Sequence, residues 1–90
     1  MRNQPMTLAR VVRDIYPENI GRVVIVLKRA RPDDFVGGSL NDWICTPANR
    51  MQLFKSATNV SGTEYALTNG RFGMADADLE PLADLMGRAK

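Results

Sequence analysis

The sequence predicts a mainly β protein: a small, partly open antiparallel barrel of about five strands with a short C-terminal helix. Three observations carry that expectation. A β-branched run, Val23-Val24-Ile25-Val26-Leu27, is bounded by Gly21 before it and Pro32 after it. Further short apolar segments recur between turn residues, and 90 residues hold too few of them for a full sandwich. With 44% hydrophobic and 24% charged residues, the chain reads as one domain over 1–90, the barrel at about 8–80 and the helix at about 81–87. A chain this short buries only about 60 to 65% of its unfolded surface, so the core is small.

Residues 8–15 fit two templates. Leu8, Val11, Val12 and Ile15 recur at the i, i+3, i+4, i+7 spacing of a helix, with Thr7 as N-cap, while Val-Val, Ile and Tyr also suit a strand. Tyr16-Pro17-Glu18-Asn19-Ile20-Gly21 reads as a tight turn, because Pro17 presets its φ and Asn19 or Gly21 accepts positive φ. Residues 21–30 follow as a buried strand. Residues 31–40, with Pro32, Asp33, Asp34 and Gly37-Gly38, form a surface loop. Trp43 to Thr46 is a short strand, residues 51–58 offer another, and Asn59 to Gly62 turns the chain toward a strand around Thr63 to Leu67. Asn69-Gly70 is the strongest short hairpin signal, since both residues tolerate the positive φ of a tight β-turn. Arg71 to Ala75 is extended, and Asp76 to Leu79 closes the barrel. Pro81 at a first helical position, Leu82, Leu85 and Met86 on one face, and Gly87 as a stop define the terminal helix.

Several classes of function are disfavoured at this stage. The longest apolar run, Val23 to Leu27, is far short of the roughly 20 residues a membrane-crossing helix needs. Met1-Arg2-Asn3-Gln4-Pro5 lacks the apolar region and cleavage site of a signal peptide, so the expected compartment is cytoplasmic. Cys45 has no second cysteine to pair with. The sequence contains no histidine, which removes Ser-His-Asp triads, Cys-His pairs and imidazole metal ligands. No enzymatic activity and no cofactor are therefore expected.

Charge is distributed unevenly. Residues 1–31 carry seven basic side chains against Asp14 and Glu18, a balance of +5, and the remainder carries five against eight, a balance of −3. Arg10, Arg13, Arg22, Lys28, Arg29 and Arg31 are the candidate nucleic-acid contacts if the first two strands pair and bring them onto one face. Tyr16 is the only aromatic among them, and solvated strand faces that the acidic half offsets are the plainer expectation. Phe35, Trp43, Leu82 and Leu85 are the candidate protein contacts, as large apolar groups in a loop, a strand and the terminal helix. A chain with six aromatic residues has reason to spend Trp43 on its core instead. Asp76, Asp78, Glu80 and Asp84 lack the glycine and glutamate of a calcium loop, so acids beginning a helix explain them better than a metal site. Cys45 reads as a buried small hydrophobe. Gly37-Gly38-Ser39 lacks the Lys-Ser/Thr of a phosphate loop, and Asn59-Val60-Ser61 matches a glycosylation sequon only formally.

Two stretches carry a family resemblance. VVRDIYPENIGRVVIVL, with Gly21-Arg22-Val23 leading into a valine-rich strand, is similar to the KOW pattern, and GMADADLEPL resembles the closing turn and last strand of Src-homology-3-like barrels. Together YPENIGRVV, DWIC and DADLEPL also look like small uncharacterised proteins of proteobacterial phages and prophages, over roughly residues 8–82. The resemblance implies a strand for residues 8–15 and a small binding module without catalysis. Its expected partner is another protein or a second copy; nucleic acid bound by the basic first hairpin is the alternative.

Overall fold

The computed structural model describes residues 2–31, 41–49, 51–56, 66–68 and 70–84. These contain strands β1 (Thr7–Val11), β2 (Val23–Arg29), β3 (Trp43–Pro47), β4 (Phe54–Ser56), β5 (Ala66–Thr68), β6 (Phe72–Met74) and β7 (Leu79–Asp84). Five of them form one open antiparallel sheet in the order β6-β3-β2-β1-β7, and β4 pairs with β5 in a separate two-stranded sheet. A 3-10 turn at Pro17–Asn19 lies between β1 and β2, and a second at Asp76–Asp78 joins β6 to β7, the two edges of the main sheet.

The period of two along β1, β2 and β6 places the core, and β3 is buried at four of its five positions. Ala9 and Val11 of β1, Val24 and Val26 of β2, and Trp43 and Cys45 of β3 share one buried face with Phe72, Met74 and Leu79. Phe54 of β4 joins this cluster by stacking on Phe72, their ring centroids 5.0 Å apart, which fastens the small sheet to the large one. Between β1 and β2 the chain reverses at Gly21, whose φ of 91° is the positive value the sequence required of Asn19 or Gly21.

Three expectations are corrected. Residues 8–15 are neither a helix nor wholly a strand: β1 ends at Val11, because Val11 and Val12 already hydrogen-bond to the turn ahead of β2 and to Asp78. Asn69-Gly70 does not join a paired hairpin, since β5 pairs with β4 and β6 pairs with β3, so the chain changes sheets there; Asn69 itself lies outside the described residues. The terminal helix is replaced over Pro81 to Asp84 by strand β7, which pairs with β1. Backbone pairing with β1 outweighs the weak local preference of one helical turn. Pro81 is tolerated because β7 is an edge strand, and a register shift at Leu8/Ala9 leaves Leu82 as the extra residue of a bulge. Residues 85–87 of the expected helix lie outside the described residues, as do 32–40 of the expected loop and 57–65.

Candidate functional site

A densely bonded group among the described residues is the buried carboxylate of Asp76. Its Oδ1 accepts from Trp43 Nε1 at 2.9 Å, Asn3 Nδ2 at 3.0 Å and the Asn3 backbone N–H at 3.1 Å. Its Oδ2 accepts from the Arg2 backbone N–H at 3.0 Å, and its own N–H donates to Asp42 Oδ2 at 2.7 Å. Burial alone would push this carboxyl up, but the bonds from Trp43, Asn3 and the two backbone amides outweigh it and hold it well below the usual carboxylate range. Asn3 Oδ1 is buried without a hydrogen-bond partner, so the side chain is held there for its N–H group alone. The node ties the N-terminal segment, β3 and the second 3-10 turn together. The carboxylate thus accepts four bonds from Arg2, Asn3 and Trp43, which join segments distant in sequence.

A second polar node lies at the end of the sheet where β1 turns into β2. Buried Asn19 donates from Nδ2 to Asp14 Oδ2 at 3.0 Å and to the Lys55 carbonyl at 2.7 Å, and accepts the Lys55 N–H at 3.1 Å. Lys55 Nζ pairs with Glu18, which lowers the Glu18 carboxyl below its ordinary pKa. The Arg22 guanidinium sits over the Phe54 ring and donates to the Leu53 carbonyl. These bonds bring the 12–22 connection and residues 51–55 side by side. Large apolar side chains are exposed around them, interspersed with Arg13, Glu18 and Gln52: Ile15 is 79% exposed and Met51 91%, with Val12, Ile20 and Leu53 also exposed. Scattered exposed hydrophobes are ordinary, whereas five gathered on adjoining segments at one end form a rim suited to another apolar surface.

The basic residues do not assemble into one face. Arg10 pairs with Glu80 at 3.4 Å across the β1–β7 register, and Arg13 pairs with Asp78 at 2.8 Å. Both pairs are exposed and contribute little stability, but they offset the N-terminal basic excess with acids of the C-terminal half. Arg22 lies at one end of β2 on Phe54, and Arg29 lies at the other end over Trp43, 5.5 Å from the ring centroid. Six residues of strand lie between them, and the seven steps of extended chain span about 23 Å. Lys28 and Arg31 are exposed beside Arg29.

Of the expected protein contacts, Trp43 is 2% exposed, with its indole N–H on Asp76, so it is a core residue. Leu82 is 37% exposed on the β7 bulge. Phe35 and Leu85 lie outside the described residues. The acidic set does not begin an α-helix: Asp76 and Asp78 lie in the short second 3-10 turn, where Asp76 is the buried node, Asp78 and Glu80 pair with arginines, and Glu80 and Asp84 belong to β7. Sequence reading missed the rim, because Ile15 and Ile20 look like core positions until the turn that carries them is seen to end the sheet.

Cys45 is fully buried, and burial pushes its thiol up to about 12. A thiol-specific reagent at pH 8 is expected to label the native protein only as fast as it opens, while urea-unfolded chain reacts at the rate of a free thiol. Rapid labelling without unfolding would contradict this burial.

Among the described residues no helix is long and apolar enough to cross a membrane, and no cluster of three metal-ligating side chains is present. Comparison with family models, curated proteins and solved structures gave no match.

Proposed function

We propose that this chain is a non-enzymatic protein-binding module of Src-homology-3-like barrel type, acting in a phage or prophage setting and contacting a protein partner or its own copies. The observation that carries the reading is the apolar rim of Val12, Ile15, Ile20, Met51 and Leu53, held at one end of the sheet by the bonds of Asn19 and Arg22. The barrel reading is supported by the strand order, with the last strand returning beside β1 after a 3-10 turn. The nucleic-acid alternative rests on Arg22, Lys28 and Arg29. It is weakened by the pairing of Arg10 and Arg13 with acids and by the distance between the two ends of β2.

Size-exclusion chromatography with light scattering, at low and high salt and with short duplex DNA or single-stranded RNA, tests both. Contact through the rim predicts association that persists in high salt and is reduced at least about tenfold by Ile15→Ser with Met51→Ser. This corresponds to losing part of two buried apolar side chains. A shift with nucleic acid that disappears in salt and on charge reversal of Arg22, Lys28 and Arg29 would instead establish the alternative.

A further inference from the structure

The N-terminal segment leaves β1 through a turn of unusual backbone geometry. Pro5 occupies the second position of that turn and Met6 the third, with φ of 59°, a place where glycine or asparagine is the ordinary residue. Met6 has no side chain that compensates locally, and it is 41% exposed. The strained turn sends residues 2–4 back along the second 3-10 turn and the start of β7. There Arg2 Nη2 donates to the Leu79 carbonyl at 2.8 Å, and reaches those of Asp76 and Ala77 at 3.4 Å. Asn3 Nδ2 donates to the Leu79 carbonyl at 3.2 Å and to the Asp76 carbonyl at 3.3 Å. Both backbone amides bind the Asp76 carboxylate. A short strap is thus docked by many directed bonds, while the hinge behind it holds backbone strain.

From this geometry we infer that residues 2–4 exchange between two copies of the chain, each strap docking on the Asp76–Leu79 site of the other. The site fixes the occupant. It presents a buried carboxylate and three carbonyls, all acceptors, and the segment shaped to satisfy them is the Arg2-Asn3 of an identical chain. Exchange preserves each of those bonds and lets Met6 leave positive φ, so the strain is released on forming the dimer. Pro5 favours an extended Gln4 ahead of it, which suits an opened hinge. Against exchange stand two bonds of the closed hinge, Met6 N–H to the Val26 carbonyl at 2.7 Å and Thr7 Oγ1 to the Gln4 carbonyl at 2.8 Å, and the entropy of association. The strap and the apolar rim are separate features, so this inference does not depend on what the rim binds.

The test measures the dimer dissociation constant by sedimentation equilibrium for the whole chain and three hinge variants, with far-UV circular dichroism to establish folding. Met6→Gly removes the strain of the closed hinge and is expected to weaken the dimer about tenfold or more. Met6→Ile increases that strain and Thr7→Val removes the closed-hinge bond, so each is expected to tighten the dimer. Should Met6→Ile fail to fold, Met6→Gly and Thr7→Val still move in opposite directions. A dimer that ignores all the hinge variants but is lost with Ile15→Ser and Met51→Ser would overturn strap exchange and leave the rim reading standing. Monomers at every concentration in the wild-type chain and in the folded variants would also overturn it.

Discussion

Asp76→Ala is expected to destabilise the protein by about 3–5 kcal/mol, because it strands several donors at once in a buried site. Trp43 Nε1 and the Asn3 amide groups are buried and lose their acceptor, and the Asp42–Asp76 bond loses its setting. A domain of this size has roughly 5–13 kcal/mol of total stability, so the unfolding midpoint should fall by about 15–30 °C. Thermal unfolding followed by tryptophan fluorescence reports both the loss and its location. A change below about 1 kcal/mol would mean that the carboxylate does not anchor the strap and β3.

The same group sets an acid limit. Its folded pKa is depressed, so its contribution is complete above the ordinary carboxylate value of about 3.9 and is lost as pH falls from there toward the folded value. Urea midpoints of the wild type are therefore expected to decline between about pH 4 and pH 2. Asp76→Asn should be less stable at neutral pH and should decline less steeply. Parallel pH profiles for the two proteins would show that another group carries the acid sensitivity.

Phe54→Ala is the second large expected effect, a loss of about 3–5 kcal/mol from a fully buried aromatic. Phe54 is 1% exposed, stacks on Phe72 and carries the Arg22 guanidinium on its ring, so its removal opens a cavity between the two sheets. The distinguishing readout is hydrogen exchange. Amides of β4 should lose protection before those of β1 and β2, because the small sheet is tied to the large one chiefly through this side chain and Asn19. Uniform loss of protection would mean that the two sheets open as one unit.

The strands were legible where side-chain period and burial agree. Val23 to Arg29 shows its β-branched run in the sequence itself and alternates in burial over Val23 to Leu27, while Trp43 to Pro47 is a short apolar segment buried at four of its five positions. The last strand was misread because Pro81 suits both the first turn of a helix and the edge of a sheet. Only pairing with Thr7–Val11, some 70 residues earlier, decides between them. Asn69-Gly70 was read as a local hairpin for the related reason that sheet assignment is not local information. The candidate site was less legible still. Asp76 looked like one acid among four until Asn3 and Trp43 converged on it, and no single-sequence signal links positions 73 residues apart.

The position of β7 has a consequence for how the protein is made. During synthesis β1 leaves the ribosome early, yet its outer neighbour and the carboxylate that fastens Arg2 and Asn3 are encoded about 70 residues later. The nascent chain can pair β1 with β2 but cannot complete the sheet until β7 has cleared the exit tunnel. A translational pause shortly before Leu79 would leave β1 unpaired on one side, where aggregation and chaperone capture compete with folding.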